Sequence, residues 1–405
     1  MQYRKLDVAF LNIGHFLDHF FLLIFASAAA LVLTQEWSIS YSQLIPYATA
    51  SFIAFGACTI PAGWLADKWS RENMMVIFFI GIGASALLAS LSNTPLQMGI
   101  CLTLVGVFAS IYHPVGLAML VQGRAKTGMP IAINGVFGNM GVASAALITA
   151  FFIDSIGWRS AFIIPGIISL LIGVTYLWIT RKAQREAQNG ESIQKKSTTS
   201  SSDTATVLDK KTWIWVFSIV CFTTAMGGLI FQSTTFALPK ILDDKLAGIA
   251  GSATDIGWYS FIVFSVAAFA QLVVGYLLDK HSIRTIFMVI ALLQAIFLGV
   301  MTQLSGLWTV LGAVVFMLAV FGQIPINDVL VGRISRNEWR SRAYAARYII
   351  TFSVMAFTIP LIAWIYGTWG SDTLFILLSM VALIIFSAIL LLPKKPLSAQ
   401  TSTSN

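Results

Sequence analysis

Charge is what this sequence has least of. Lys, Arg, Asp and Glu make up 10% of its 405 residues, against about 25% in soluble domains. A water-facing surface cannot be built from so little, because the remaining apolar surface drives aggregation unless hydrocarbon surrounds it. Cysteine is scarce too. Cys58, Cys101 and Cys221 each sit inside an apolar run with no C-x-x-C or His/Cys spacing, which excludes a disulfide framework or a zinc module. There is no G-x-x-x-x-G-K-[ST] loop, so direct use of ATP is not expected. Neither an H-E-x-x-H pair nor a nucleophile elbow is present, which leaves hydrolytic chemistry without its usual tools. No cleavable leader is expected, since the first apolar run, 8–33, is too long for a signal core and lacks a cleavage site before Glu36. The net charge of +8 does not point to nucleic acid, because the basic residues flank apolar runs instead of forming a stripe.

What the sequence does have is hydrophobic length. About 20 apolar residues suffice to cross a bilayer as a helix, and the chain offers twelve such runs. They fall near 8–33, 43–66, 73–92, 96–121, 129–153 and 160–180, then 213–238, 256–278, 285–303, 307–331, 343–366 and 373–392. The runs are continuous and not alternating, so strands are excluded as the spanning element. An all-α membrane protein of twelve helices in two six-helix bundles is expected, with residues 1–180 as the first bundle and 212–393 as the second. The polar stretch 181–211, which includes Ser197–Ser202, reads as a flexible linker, and 394–405 as a disordered tail. Basic residues gather on one set of loops, including Lys68, Arg71, Arg124, Lys280, Arg284 and the linker. The opposite loops hold only Arg159, Lys240 and Lys245. Basic loops are held back during insertion, so both termini are expected in the cytoplasm of a bacterium, with the chain multi-pass in the cell inner membrane.

The two halves echo one another. Gly63-Trp64-Leu65-Ala66-Asp67-Lys68-Trp69-Ser70-Arg71 follows the second run, and Gly275-Tyr276-Leu277-Leu278-Asp279-Lys280-His281-Ser282-Ile283-Arg284 follows the eighth. Asp67 and Asp279 lie 212 positions apart, and Pro114 and Pro325 lie 211 apart. Two pairs in one register indicate a duplication, as in many secondary transporters. The G-x-L-x-D-[KR]-x-S-x-R loop resembles the cytoplasmic signature of the major facilitator superfamily, and Gly157-Trp158-Arg159-Ser160-Ala161-Phe162 is similar to its pattern between helices 5 and 6. Two stretches resemble the fosmidomycin-resistance-like branch of drug exporters: Gly14-His15-Phe16-Leu17-Asp18-His19, and Ser110-Ile111-Tyr112-His113-Pro114 with Gly138-Asn139-Met140-Gly141. The resemblance implies a secondary transporter. The sequence departs from drug/proton antiporters in lacking their helix 4 arginine near Cys101–Leu102, and in placing Asn139 where their Gly-Pro is expected.

Ionisable side chains at membrane depth cost about 2.5–3.5 kcal/mol each on insertion scales, so those present are candidates for function. In the first run, His15, Asp18 and His19 are spaced by three and four and share a helical face. A carboxylate between two imidazoles can hold a proton whose position follows water access, so these residues and His113 are the expected proton-coupling groups. The competing reading is a satisfied polar knot. His113 precedes Pro114, whose missing N–H frees a carbonyl, and the alternative reading is a histidine satisfied by that carbonyl. Expected substrate contacts are Asn12, His113, Asn134, Asn139, Gln232, Gln323, Asn327, Asp328 and Arg347. Asp328 is positioned to pair with Arg347, whose planar fork suits a carboxylate or phosphonate, and Arg347 fits a gating role equally well. Asp67, Lys68, Arg71, Arg124, Asp279, Lys280 and Arg284 read as a cytoplasmic latch or as topology determinants alone. Gly138, Gly141, Gly227 and Gly228 are expected at close helix contacts. His-x-x-Asp-His also offers three metal donors, but one helix seldom completes a site, so no metal is expected.

The function expected is proton-coupled movement of a small organic, anionic solute by alternating access. Export by antiport is favoured, and import by symport of an organic acid or a carboxylate-type siderophore is the alternative. A membrane-embedded enzyme or metal-site protein is the reading of another class. The partners expected are the solute, protons and lipid, with no cofactor, no nucleic acid and a monomeric chain.

Overall fold

The computed structural model describes residues 5–122, 124, 128–189, 210–334 and 337–393. Among these, eleven helices are long and apolar enough to cross a membrane. The first half contributes α1 (Leu6–Glu36), α2 (Tyr41–Lys68), α3 (Arg71–Ser90), α4 (Pro95–Val121), α5 (Met129–Ser155) and α6 (Ser160–Arg185). The second contributes α7 (Lys211–Lys245), α8 (Ala253–Lys280), α9 (Ile283–Val300) and α10 (Leu307–Val331). The eleventh apolar span, Ile349–Leu390, is 42 residues long, or about 63 Å as one helix, roughly twice a bilayer core. It belongs to the helix Asn337–Leu390, which leaves helical geometry at Gly370 (φ 80°, ψ −179°). Only glycine adopts that conformation without strain, and it divides the helix into α11 (337–369) and α12 (371–390). Twelve crossings result, as the runs predict.

Short polar caps start several helices. The Ser70 hydroxyl accepts from the Asn73 amide at the head of α3, and Thr94 does the same for Gln97 ahead of Pro95 in α4. These caps satisfy amides that lipid would leave orphaned. Large apolar side chains such as Trp64, Trp178, Trp308 and Phe357 point outward, each more than 60% exposed, as a hydrocarbon solvent allows. The linker reading needs adjustment at one end, because α6 stays helical to Asn189; the rest of the linker, 190–209, and the tail 394–405 lie outside the described residues.

Packing repeats between the halves. In the first, α1 lies along α5 and α3 along α6. In the second, Gly228 of α7 meets Val354 of α11, and Ser379 of α12 donates to the Ala295 carbonyl of α9. The halves join through two matching seams, α5 against α8 and α2 against α11. On the first seam the Thr254 amide and hydroxyl both donate to Asp154, at 2.7 and 2.5 Å. On the second, Tyr41 and Tyr366 meet at 5.3 Å, and Phe55 and Phe352 at 4.8 Å.

These contacts lie at mid-depth and at the end away from the basic loops. At the basic end the predicted latch residues pair within their own half. Arg71 donates to Asp67 at 2.7 Å and to Gln122 at 2.9 Å, so Asp67 pairs with the Arg71 of its own loop. A neighbour one helical turn away needs no loop rearrangement to reach. Arg284 donates to the Ile389 and Leu390 carbonyls, capping α12, and Lys280 reaches Tyr276. No described contact of Asp67, Lys68, Arg71, Arg124, Asp279, Lys280 or Arg284 bridges the halves.

Candidate functional site

The α1 spacing does what helical geometry dictates. His15 and His19 stand one turn apart with their Nε2 atoms 3.2 Å from each other. The third imidazole comes from α4. His113 lies 5.3 Å from the His15 ring and 5.6 Å from the His19 ring, edge-on to both. One donor atom from each of the three histidines falls within 4.8 Å of the others. Asp18 completes the group, with its Oδ2 3.4 Å from His113 Nε2. Its carboxylate is fully buried, and neither oxygen accepts a hydrogen bond among the described residues.

A second layer holds His15 in place. Its Nδ1 donates to the Asn134 carbonyl at 2.8 Å, which fixes the tautomer: a carbonyl only accepts, so in the neutral ring Nε2 is the free lone pair. His19 Nε2 is then the donor across the 3.2 Å contact. Tyr112 stacks on His15 at 4.9 Å and donates to the Leu11 carbonyl at 2.8 Å. The Asn134 amide donates to Asn12 and to the Tyr112 hydroxyl, both at 2.9 Å. Asn134 and Asn12 are expected to meet a solute; in this structure Asn134 is wholly buried and holds His15 through its carbonyl, while Asn12 accepts from Asn134. Tyr112, which the sequence reading did not single out, sits inside the Ser110–Pro114 motif beside His113.

Pro114 leaves the Ser110 carbonyl without its helical donor, and the Thr59 hydroxyl of α2 approaches it at 3.5 Å. His113 is therefore released from that duty and turned toward Asp18. Its side chain keeps 16% exposure, and its ring lies against Phe55 at 5.8 Å and Phe352 at 6.2 Å. Because Phe352 belongs to the other half, His113 faces the seam between bundles and not lipid.

The glycines of α5 make room for this cluster. A methyl added at Gly138 would stand 2.7 Å from His15 Nε2 and 2.8 Å from its Cδ2 and Cε1, well inside van der Waals contact. At Gly228, by contrast, it would stand 3.8 Å from Val354. Gly138→Ala is thus expected to cost about 1–3 kcal/mol through overpacking and to lower transport at least tenfold, while Gly228→Ala leaves both near wild type. Thermal melting and initial transport rates of the two variants check this.

In the second half the polar groups are arranged differently. Gln323 accepts from Gln294 at 2.8 Å and lies against Gly227. Asn327, Gln232 and, across the seam, Asn139 are buried, and each retains a side-chain atom with no hydrogen bond among the described residues: Oδ1, Nε2 and Nδ2 respectively. Arg347 forms an ion pair with Asp328. The Arg347 side chain is 9% exposed and that of Asp328 41%, so the cation is held inside while its carboxylate partner meets solvent. Phe352, on the same helix as Arg347, connects this region to His113.

Comparison with known proteins agrees with the fold. The family model described as Major Facilitator Superfamily matches residues 11–247 and 222–405. The chain is 22% identical to the 4-hydroxybenzoate transporter PcaK of Pseudomonas putida, over 70% of this chain and 68% of that one. It is also 22% identical to the gallate transporter of the same organism, over 62% of this chain and 60% of the relative. Among solved structures, the D-xylose-proton symporter superposes with a TM-score of 0.71 at 14% identity, covering 95% of this chain and 97% of that one. The similar proteins are transporters and not enzymes. With its twelve crossings, duplicated halves and paired seams, this multi-pass membrane chain belongs to the Major Facilitator Superfamily.

Proposed function

We propose that this protein is a proton-coupled carrier of small organic anions that works by alternating access. The observation that carries the reading is the pairing of two charged sites, one in each half. In the first half Asp18 is buried among imidazoles, with oxygens that accept no hydrogen bond. In the second, Arg347 is buried and neutralised by the more exposed Asp328. An anion that reaches Arg347 competes with Asp328 for the guanidinium, whose fork matches a carboxylate. The names of the two Pseudomonas relatives, a hydroxybenzoate and a gallate transporter, support a carboxylate-bearing solute.

Electrostatics favours symport. A proton on Asp328 loosens its hold on Arg347, so the proton and the anion bind more tightly together than apart. Antiport needs the opposite, a proton that competes with the solute. The helix 4 arginine and helix 5 Gly-Pro of drug antiporters are also missing. Export by antiport stays as the second reading because the Gly14–His19 and Ser110–Pro114 stretches resemble the fosmidomycin-resistance branch. With the basic loops placed in the cytoplasm of a bacterial inner membrane, the described contacts between the halves lie at mid-depth and toward the outer face. One chain holds both halves, so a monomer completes the pathway.

The test is flux in proteoliposomes containing the purified chain and a labelled panel of benzoates and aliphatic carboxylates. Accumulation inside vesicles when the proton gradient points inward, abolished by a protonophore, is the expected result. Accumulation only under the reversed gradient establishes antiport, and flux indifferent to any gradient overturns the coupling.

A further inference from the structure

We propose that His15, His19 and His113 form a binding site for one borderline divalent transition-metal ion of the Zn2+ class. The inference concerns the same cluster as the coupling site but stands on its geometry alone. Three kinds of observation support it.

The first is donor placement. In a tetrahedral site with Zn–N bonds of 2.0–2.1 Å, two nitrogens stand about 3.3 Å apart. His15 Nε2 and His19 Nε2 stand 3.2 Å apart, and a donor of His113 falls within 4.8 Å of both histidines' donors. A single helix supplies only two histidines here, which is why the sequence argued against a metal. The fold brings the third across from α4.

The second is the outer layer. Histidines that bind metals almost always donate their other ring N–H to a carbonyl or a carboxylate, which fixes the tautomer and orients the ring. His15 does so through Nδ1 to the Asn134 carbonyl at 2.8 Å, leaving Nε2 as the lone pair. His113 Nε2 faces Asp18 at 3.4 Å, while its Nδ1 is buried and has no partner among the described residues. One of the three rings therefore already stands in the carbonyl–histidine arrangement of metal sites, and a second has a carboxylate 3.4 Å from one ring nitrogen.

The third is charge. Asp18 is fully buried with two oxygens that accept no hydrogen bond, and a buried carboxylate calls for a cation nearby. A divalent ion on three neutral imidazoles places that charge beside it. Imidazole donors select Zn2+, Ni2+, Co2+ and Cu2+ over Mg2+ or Ca2+, which prefer oxygen. The His113 ring lies against Phe55 and Phe352 at the seam between the bundles, so the three donors gather beside the interface of the two halves and not toward lipid.

The chain's histidine count makes the site testable. It has four histidines, and the fourth, His281, is exposed in the loop between α8 and α9, so it serves as an internal control. The full chain, purified without a histidine tag and stripped with chelator, is titrated with ZnCl2 by calorimetry and with CoCl2 by visible absorption. The expected result is one equivalent bound, the intense d–d bands of four-coordinate Co2+, no response to MgCl2, and a rise in melting temperature with Zn2+. His15→Ala, His19→Ala and His113→Ala each weaken binding at least tenfold, whereas His281→Ala leaves it unchanged. Each variant is first shown to be monodisperse and to melt cooperatively without metal. Should His113→Ala fail that check, the wild-type Co2+ spectrum decides, because octahedral water-rich Co2+ lacks those bands. Failure of 100 µM Zn2+ to bind, or binding by the three single variants as tight as by the wild type, overturns the proposal. Neither measurement involves a gradient, so this result and that of the flux assay are independent.

Discussion

Asp18→Asn abolishes gradient-driven accumulation of the solute, by about a hundredfold or more in initial rate, while leaving solute exchange across the membrane intact. The two measurements separate because they ask different things of the residue. Net accumulation requires a group that takes the proton on one side and gives it up on the other. Exchange of labelled for unlabelled solute requires only the conformational change with the site loaded, and a neutral amide stands in for the protonated acid. The same substitution carries a stability prediction of unusual sign. Among the described residues Asp18 is completely buried, accepts no hydrogen bond and has the His113 imidazole at 3.4 Å as its nearest ionisable partner. An ion kept so dry costs several kcal/mol, so removing the charge without changing the shape should leave the melting temperature unchanged or raise it. A polar knot that exists to fix helix packing behaves in the opposite way: its Asn variant melts earlier and still accumulates solute. Ionisable groups that a membrane protein retains at such a cost are retained for function, and this pair of assays distinguishes the two cases.

Much of the architecture was legible because membrane helices obey one-dimensional rules. The twelve runs, the polar break after residue 180 and the charge asymmetry of the loops follow from hydropathy and insertion alone. Even the division near Gly370 was visible, since the apolar runs 343–366 and 373–392 stop on either side of it. Within the site, the grouping of His15, Asp18 and His19 was readable because a helix places such neighbours together whatever surrounds it. What the sequence hid were meetings across long separations. His113 reaches α1 from α4, and Asn134 reaches back more than a hundred residues to hold His15. Phe55 and Phe352 carry no sequence signal at all, because one phenylalanine in an apolar run looks like any other. The latch residue Asp67 meets Arg71, a partner four residues on that helical spacing alone brings within reach.

Arg347→Ala is expected to weaken solute binding by about tenfold to a hundredfold or more, the equivalent of the roughly 1.5–3 kcal/mol that a charge-assisted hydrogen bond contributes. Arg347→Lys falls between, because an ammonium keeps the charge but loses the fork that engages both oxygens of a carboxylate. These single variants do not by themselves separate a binding arginine from a gating one, since either leaves Asp328 without its partner. The double variant Arg347→Ala/Asp328→Ala does. If the ion pair only latches α10 to α11, removing both charges restores the balance that the single change upset, and solute affinity returns. If Arg347 holds the anion, the double variant recovers stability but not affinity, because nothing replaces the guanidinium. Asp328→Asn completes the set. It leaves the arginine in place with a neutral neighbour, so the anion no longer has to displace a competing charge. Affinity should rise several-fold, and its dependence on pH should flatten. Equilibrium binding of the best transported carboxylate, measured on the four variants in detergent, reads all of these outcomes. A rise in affinity for Asp328→Asn together with a persistent loss in the double variant is the signature of an anion site whose occupant and proton arrive together. An unchanged affinity in all four places the solute elsewhere and reduces Arg347 to a strut.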